Sequence, residues 1–444
     1  MESNRLSCFR ESLYGCFTKG RDALMNAGDA LLTETCARSF AELSLSPFFE
    51  RRWPSLYEAF QDGQLDRAAL RQLLSTYAPS PSTGKRLVMG VDASSIARPQ
   101  SPTARDRSSQ YVSNLPEGKP VTYGWSFSAV VVLPERPSSW TYLLDHRRIE
   151  TSETPTEVAA EQLKALVPLL SEPPLNVGDR GYGNAAFVKA TQGIACDHLL
   201  RVSRDRVFYR AAPPKTGQRG APRKDGERFK CSNPDTHGSP DETWEGTDEK
   251  GREIKVSRWR ELHFKQHREE TVCLFRVVRP AAPDTKRDPR ESWFVFVKRT
   301  DAPELPLNEV TPTYALRFSQ EHGYRFDKGS LLWQEPRLRT PEAFQLWTDL
   351  VAVTHDQLVL ARPLVEAKRQ PWETRNRPAT PQQVRRGLCR FLIELGTPAQ
   401  TCRPRGKSPG RPPGACLRRP PRFAVVKKAK QTPPSEGSSP PSVV

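Results

Sequence analysis

The run Leu87-Val88-Met89-Gly90-Val91, closed by Asp92, limits the possible folds more than any other stretch. It is apolar apart from one glycine and does not alternate, so it reads as a strand covered on both faces. Such strands belong to sheets flanked by helices. The acid that closes the run is expected to emerge at the end of the sheet, where ligands collect. A second short run, Leu175 to Gly178, delivers Asp179 in the same way, and the turn sequence Arg180-Gly181-Tyr182-Gly183-Asn184 follows it. Residues 125–133, 140–149, 195–202 and 292–298 read as further strands. Thr154-Pro155-Thr156-Glu157 forms a capping box with proline at the first helical position, and Ala159, Leu163, Leu166, Val167 and Leu170 follow at helical spacing. Thr340-Pro341 and Thr380-Pro381 open two more helices. The expected class is α/β.

Charge narrows the partner. A net charge of +17 and a pI near 9.6 favour a polyanion, either nucleic acid or an anionic membrane. No apolar run approaches the length of a membrane span, and the N-terminus lacks a signal-peptide core, so a membrane role is unsupported. The 9 cysteines form no C-x-x-C pair, which fits a reduced compartment, and His263, His267 and Cys273 lack the spacing of zinc modules.

The chain is long enough for two or three domains. Residues 1–80 read as helical, with Leu70, Leu73, Leu74 and Tyr77 on one face. This region is nearly neutral in charge, so it is expected either to bind DNA ends through a few placed side chains or to pack on its neighbour. Residues 85–350 read as a catalytic domain, interrupted at 205–290 by a β-rich insertion whose first part is strongly basic. Helices are expected at 351–396. Residues 397–444, basic and rich in proline, are expected to be disordered.

The stretch from Tyr314 to Lys328 carries the densest chemistry. Thr311-Pro312 reads as its helix start, and Tyr314, Arg317 and Glu321 then share one face. Lys328 joins that face if the helix continues through Gly323. The stripe offers a carboxylate for a hard divalent cation and three groups for phosphate oxygens. Two strand-end aspartates and a helical glutamate are what a two-metal phosphoryl-transfer site requires. Ions about 3.5–4 Å apart would handle the attacking and leaving oxygens.

Tyr314, Arg317, Glu321 and Lys328 match the pattern Y-x2-R-x3-E-x6-K without a gap. With G-V-D-A-S-S around Asp92 and V-G-D-R-G-Y around Asp179, the chain resembles the cut-and-paste insertion-sequence type of DDE transposase over residues 85–350. The resemblance implies a ribonuclease-H-like core in which Asp92, Asp179 and Glu321 hold two Mg²⁺ ions, with Mn²⁺ as a substitute. It also implies that Tyr314, Arg317 and Lys328 contact phosphates of the transposon ends. Trp244 or Trp259 in the insertion would stack on a displaced base, or else serve as a core tryptophan. Double-stranded DNA, as transposon ends and target, is the implied partner, with a homodimer in a synaptic complex. The implied setting is the bacterial cytoplasm at the nucleoid. Two alternatives stay open: a ribonuclease-H-like nuclease that does not join strands, and a catalytically silent DNA-binding relative.

Overall fold

The computed structural model describes residues 2–111, 121–214, 221, 223–248, 251–280, 290–402, 410, 412–416 and 419–427. Its centre is a group of five strands: β3 (Val88–Ala97), β5 (Val121–Val132), β6 (Tyr142–Ile149), β7 (Leu175–Gly178) and β8 (Asp197–Val202). They lie side by side in the order β6-β5-β3-β7-β8. β5 runs antiparallel to β3 and β6, whereas β7 runs parallel to β3 and β8 parallel to β7. Helix α6 (Pro155–Leu166) connects β6 to β7, and α7 (Ala185–Ala190) connects β7 to β8. This is the ribonuclease-H-like core. Both sides of the Thr154–Glu157 capping box form at the start of α6.

One detail differs from the sequence reading. Asp92 does not end its strand, because β5 continues to pair with β3 as far as Ala97 opposite Gly124. The apolar character stops at Val91, but the backbone ladder runs on. What ends at Val91 is the parallel pairing with β7.

Beyond β8 the sheet continues without a break. β14 (Arg290–Val297) pairs antiparallel with β8, and β13 (His267–Arg279) and β12 (Glu253–Phe264) follow outward. β9 (Val207–Tyr209), β10 (Arg228–Lys230) and β11 (Glu242–Thr247) complete this outer part. The strands between Asp179 and Glu321 therefore extend the core sheet. At the opposite side, the short β4 (Ser108–Tyr111) pairs with the first residues of β5.

The helical layer is built on α10 (Pro341–Ala361), capped by Thr340 and buried on nearly every side. It packs on β6 and on the N-terminal helices, which are α1 (Glu2–Cys16), α2 (Arg21–Thr33), α3 (Phe40–Leu43), α4 (Trp53–Asp62) and α5 (Arg67–Tyr77). A small antiparallel pair, β1 (Phe17–Lys19) with β2 (Gln64–Leu65), ties α1 to α5. Leu70, Leu73 and Leu74 are buried on the expected face of α5. The aromatic rings of Phe40 and Phe60 meet Trp347 of α10 edge-on. α11 (Pro381–Leu395) joins the same layer through Arg385, whose guanidinium donates to the carbonyls of Leu31, Glu34 and Ser330.

The N-terminal helices are thus part of the catalytic body. Arg10 makes the point: it is buried, pairs with Asp29 at 2.7 Å and donates to Gln357 Oε1 at 2.8 Å. Asp29 is equally buried, and desolvation raises its pKa against the pull of Arg10. Much of the expected disordered tail (403–409, 411, 417–418 and 428–444) lies outside the described residues, but residues 419–427 run beside β4.

Arg10→Met is expected to destabilise the protein by about 3–5 kcal/mol in denaturant unfolding, because it strands a buried carboxylate. Adding Asp29→Leu should recover a large part of that loss. Equal instability of the single and double variants would show that packing, not charge, dominates at this contact.

Candidate active site

The site forms where β3 and β7 part. Val91 is paired with Gly178, so the next residues, Asp92 and Asp179, stand beside one another at the end of the shared ladder. Asp179 lies in the turn after β7, where its Oδ1 accepts the backbone N–H of Gly181 at 2.7 Å. Tyr182, the aromatic residue that follows, is buried against Phe187. Burial raises its phenol well above the ordinary range, and the charges of Asp92 and Asp179 add to that shift.

The third acid arrives on α9 (Phe318–Gly329), which follows the short α8 (Val310–Ala315). The single helix expected from Thr311 is in fact two. α8 begins at Val310 without a side-chain cap, and the chain turns at Leu316 and Arg317 before α9 starts. α9 then passes through Gly323 unbroken. That residue must be small, because a Cβ there would lie 2.5 Å from Thr141 Oγ1.

One stripe of α9 is fastened to the sheet backbone. Gln320 donates to the carbonyl of Ala129 at 3.1 Å, Tyr324 to that of Asp92 at 3.0 Å, and Lys328 to that of Ser95 at 3.0 Å. Gly90 permits the approach, since a Cβ there would be 2.7 Å from Gln320 Oε1. Gln320 and Tyr324 did not emerge from the sequence reading, although their spacing with Lys328, four and four, is a helical stripe in its own right.

Arg317 and Glu321 belong to the neighbouring stripe. Arg317 Nη2 lies 2.6 Å from Glu321 Oε1, and its Nη1 lies 3.6 Å from Asp92 Oδ2. The guanidinium also sits over the rings of Tyr314 and Phe318, and its buried Nε has no hydrogen-bond partner. Tyr314 itself is buried against Phe294, so its ring supports Arg317 more than it faces solvent. Burial raises the Asp92 carboxyl to about 7, opposed by Arg317 and reinforced by Asp179 and Glu321. Burial lowers the Lys328 ammonium, whose Nζ stands over the ring of Trp333.

Asp92, Ser94, Glu321, Tyr324, Arg325, Lys328 and Gln334 line an open cleft of about 570 Å³. Four of the expected site residues, Asp92, Arg317, Glu321 and Lys328, are thereby gathered on α9 and the strand beneath it. Asp179 enters from β7 through its charge on Asp92. Among the described residues, no three His, Cys, Asp or Glu side chains are grouped tightly enough to hold a metal ion. The cation present between the acids is the Arg317 guanidinium. The donor set is nevertheless all carboxylate oxygen, which suits a hard divalent ion, and Asp92 is short of compensating positive charge.

The two tryptophans of the insertion differ. Trp259 is buried among Phe229, His237 and Trp293, so it is a core residue and not a stacking surface. Trp244 is half-buried, with its ring folded over Gly246. His263 pairs with Asp225 and His267 with Glu270, each inside the insertion.

A family of DDE superfamily endonucleases matches residues 12–266, more than half of the chain. The chain belongs to that family. The matched span of this DDE endonuclease includes Asp92 and Asp179 and ends before α8. Members of the DDE superfamily work with divalent metal ions. No curated protein matches the sequence. Among solved structures, a cryo-EM structure of a piggyBac transposase synaptic complex with hairpin DNA aligns at 11% identity and a TM-score of 0.39, covering 86% of this chain and 74% of that one. So loose a likeness adds nothing to the fold established by the strand order. No helix among the described residues is long and apolar enough to cross a membrane.

The raised pKa of Asp92 has a definite sign. The contribution of a carboxyl whose folded pKa is raised from 3.8 to about 7 is fully present below about 4, falls as pH rises from there, and is lost above about 7. Asp92→Asn, neutral at every pH, should therefore raise the thermal midpoint by a few °C at pH 8 and have little effect at pH 4. A pH-independent difference would mean that Asp92 is not strained by its surroundings.

Proposed function

We propose that this DDE endonuclease is a DNA transposase. It binds the terminal inverted repeats of a mobile element, cleaves the phosphodiester at each end, and joins the freed 3′-hydroxyl to target DNA. The observation that carries the reading is a cleft lined by Asp92, Glu321 and Lys328, with Arg317 bridging the first two and Asp179 in the turn next to the end of the β3–β7 ladder.

Asp92, Asp179 and Glu321 are the residues that would hold two Mg²⁺ ions, or Mn²⁺ in their place. Such ions would lower the pKa of the attacking water or hydroxyl and take up charge on the departing oxygen. Arg317 and Lys328 grip the phosphates flanking the scissile bond. A charge-assisted bond from such a cation to phosphate is stronger than a neutral one. Tyr314 holds Arg317 from below, and Tyr324 and Gln320 fix the height of α9 over β3 and β5 respectively. Trp244 is the remaining candidate for stacking on a displaced base. Because two ends are processed together, the working assembly is a dimer on DNA.

The test is a strand-transfer assay with a pre-cleaved end duplex and a supercoiled target. Wild type should yield joined products, whereas Asp92→Asn, Asp179→Asn and Glu321→Gln should each lose measurable turnover. Cleavage without joining would favour the simple nuclease. Equal activity in all four proteins would refute the assignment of the three acids.

A further inference from the structure

Residues 423–426 are bonded to the body of the protein. Phe423 donates its N–H to the Pro102 carbonyl at 2.8 Å, and Val426 donates to the Arg107 carbonyl at 2.8 Å and bridges in parallel to Ser108 of β4. Arg107 is buried and clamps the contact, donating to the carbonyls of Ala104, Arg98 and Phe423. The segment is thus docked by one isolated bridge at the first residue of β4 and by backbone bonds to the loop that precedes it. It carries Arg419, Arg422 and Lys427, all exposed, and no acid occurs between residues 401 and 430.

Beside it stands the β4–β5 hairpin, with Tyr111 opposite Val121 and Tyr123 opposite Ser109. Tyr111 is 85% exposed, and Tyr123, Val121, Phe423 and Val426 are each between 36% and 40% exposed. An edge with this much uncovered aromatic and apolar surface marks an interaction site. Among the described residues beside it, Asp106 pairs with Arg148 and Glu342 with Arg105.

Register relates the patch to the cleft. Asp92 is opposite Ala129 on β5, and residues two apart on a strand share a face, so Tyr123 lies on the same sheet face as Asp92. Six residues separate Ala129 from Tyr123, roughly 20 Å along the strand. That is about six base pairs of duplex. The hairpin also projects past the end of β7, on the side where Asp92 and Asp179 meet.

We infer that the docked C-terminal segment and the tyrosine-bearing β4–β5 hairpin form one DNA-holding surface, which grips duplex about six or more base pairs from the scissile phosphate. The inference rests on the transposase reading for its choice of DNA. Charge complementarity selects the occupant: three exposed cations on a stretch that carries no acid from residue 401 to 430, beside tyrosines whose hydroxyls can donate to phosphate and whose rings can lie against sugar.

The experiment is fluorescence anisotropy on the full chain with a mixed-sequence duplex of about 30 base pairs across a salt series. Each phosphate that a cation neutralises adds about 0.9 to the slope of log Kd against log salt, so the variant Arg419→Gln/Arg422→Gln/Lys427→Gln should reduce that slope by about 2–3. Tyr111→Ala/Tyr123→Ala should weaken binding about threefold or more with the slope unchanged. An unchanged slope in the triple variant overturns the inference. So does a tyrosine variant that binds DNA as wild type but loses self-association in sedimentation, because the patch would then hold a second copy of the chain. Cleavage by Asp92→Asn is read separately. If it is lost while the slopes stay as in wild type, the surface assignment falls and the transposase reading stands. If cleavage persists, the transposase reading falls and the slopes still report the surface.

Discussion

The parallel pairing of Val91 with Gly178 decides where the chemistry can be. Two carboxylates belonging to strands far apart in the chain are set side by side because their backbones share a ladder up to the preceding residue. A slip of one residue would turn Asp92 to the opposite face of the sheet, away from α9. Everything else at the site is arranged around that register. β5 holds β3 from the other side, α6 carries the chain back so that β7 can run parallel, and α9 lies across the finished surface.

Bringing acids together is unfavourable, and the structure shows how the strain is met. Asp92 keeps a raised pKa, so part of the strain stays unresolved. Arg317 relieves another part by reaching Asp92 and Glu321 at once. Its place depends on the turn between α8 and α9, on the ring of Tyr314 beneath it, and on the two glycines that let α9 come close. Gly90 and Gly323 are therefore as much a part of the site as the charged residues, although neither has any chemistry of its own.

The sequence displayed the core strands, the capping box of α6 and the charged stripe of α9, because each leaves a local mark: an apolar run, a hydroxyl followed by proline and glutamate, a spaced set of charges. It concealed the continuation of β3 past Asp92, since Ala93-Ser94-Ser95 carries no apolar signal and has β5 as its strand partner. The break at Leu316 and Arg317 was likewise invisible, because both residues are good helix formers. Trp259 could not be told from an exposed aromatic until Phe229, His237 and Trp293 were seen to enclose it. The union of the N-terminal helices with α10 and α11 rests on Arg10 and Arg385. Their partners lie hundreds of residues away, where no periodicity can reveal them.

The unbroken sheet has a mechanical consequence. Because β8, β14, β13 and β12 are joined edge to edge by backbone hydrogen bonds, the insertion is not a lobe swinging on a linker. Trp244 on β11 therefore stays at a set distance and bearing from Asp179, as the two jaws of a fixed caliper do.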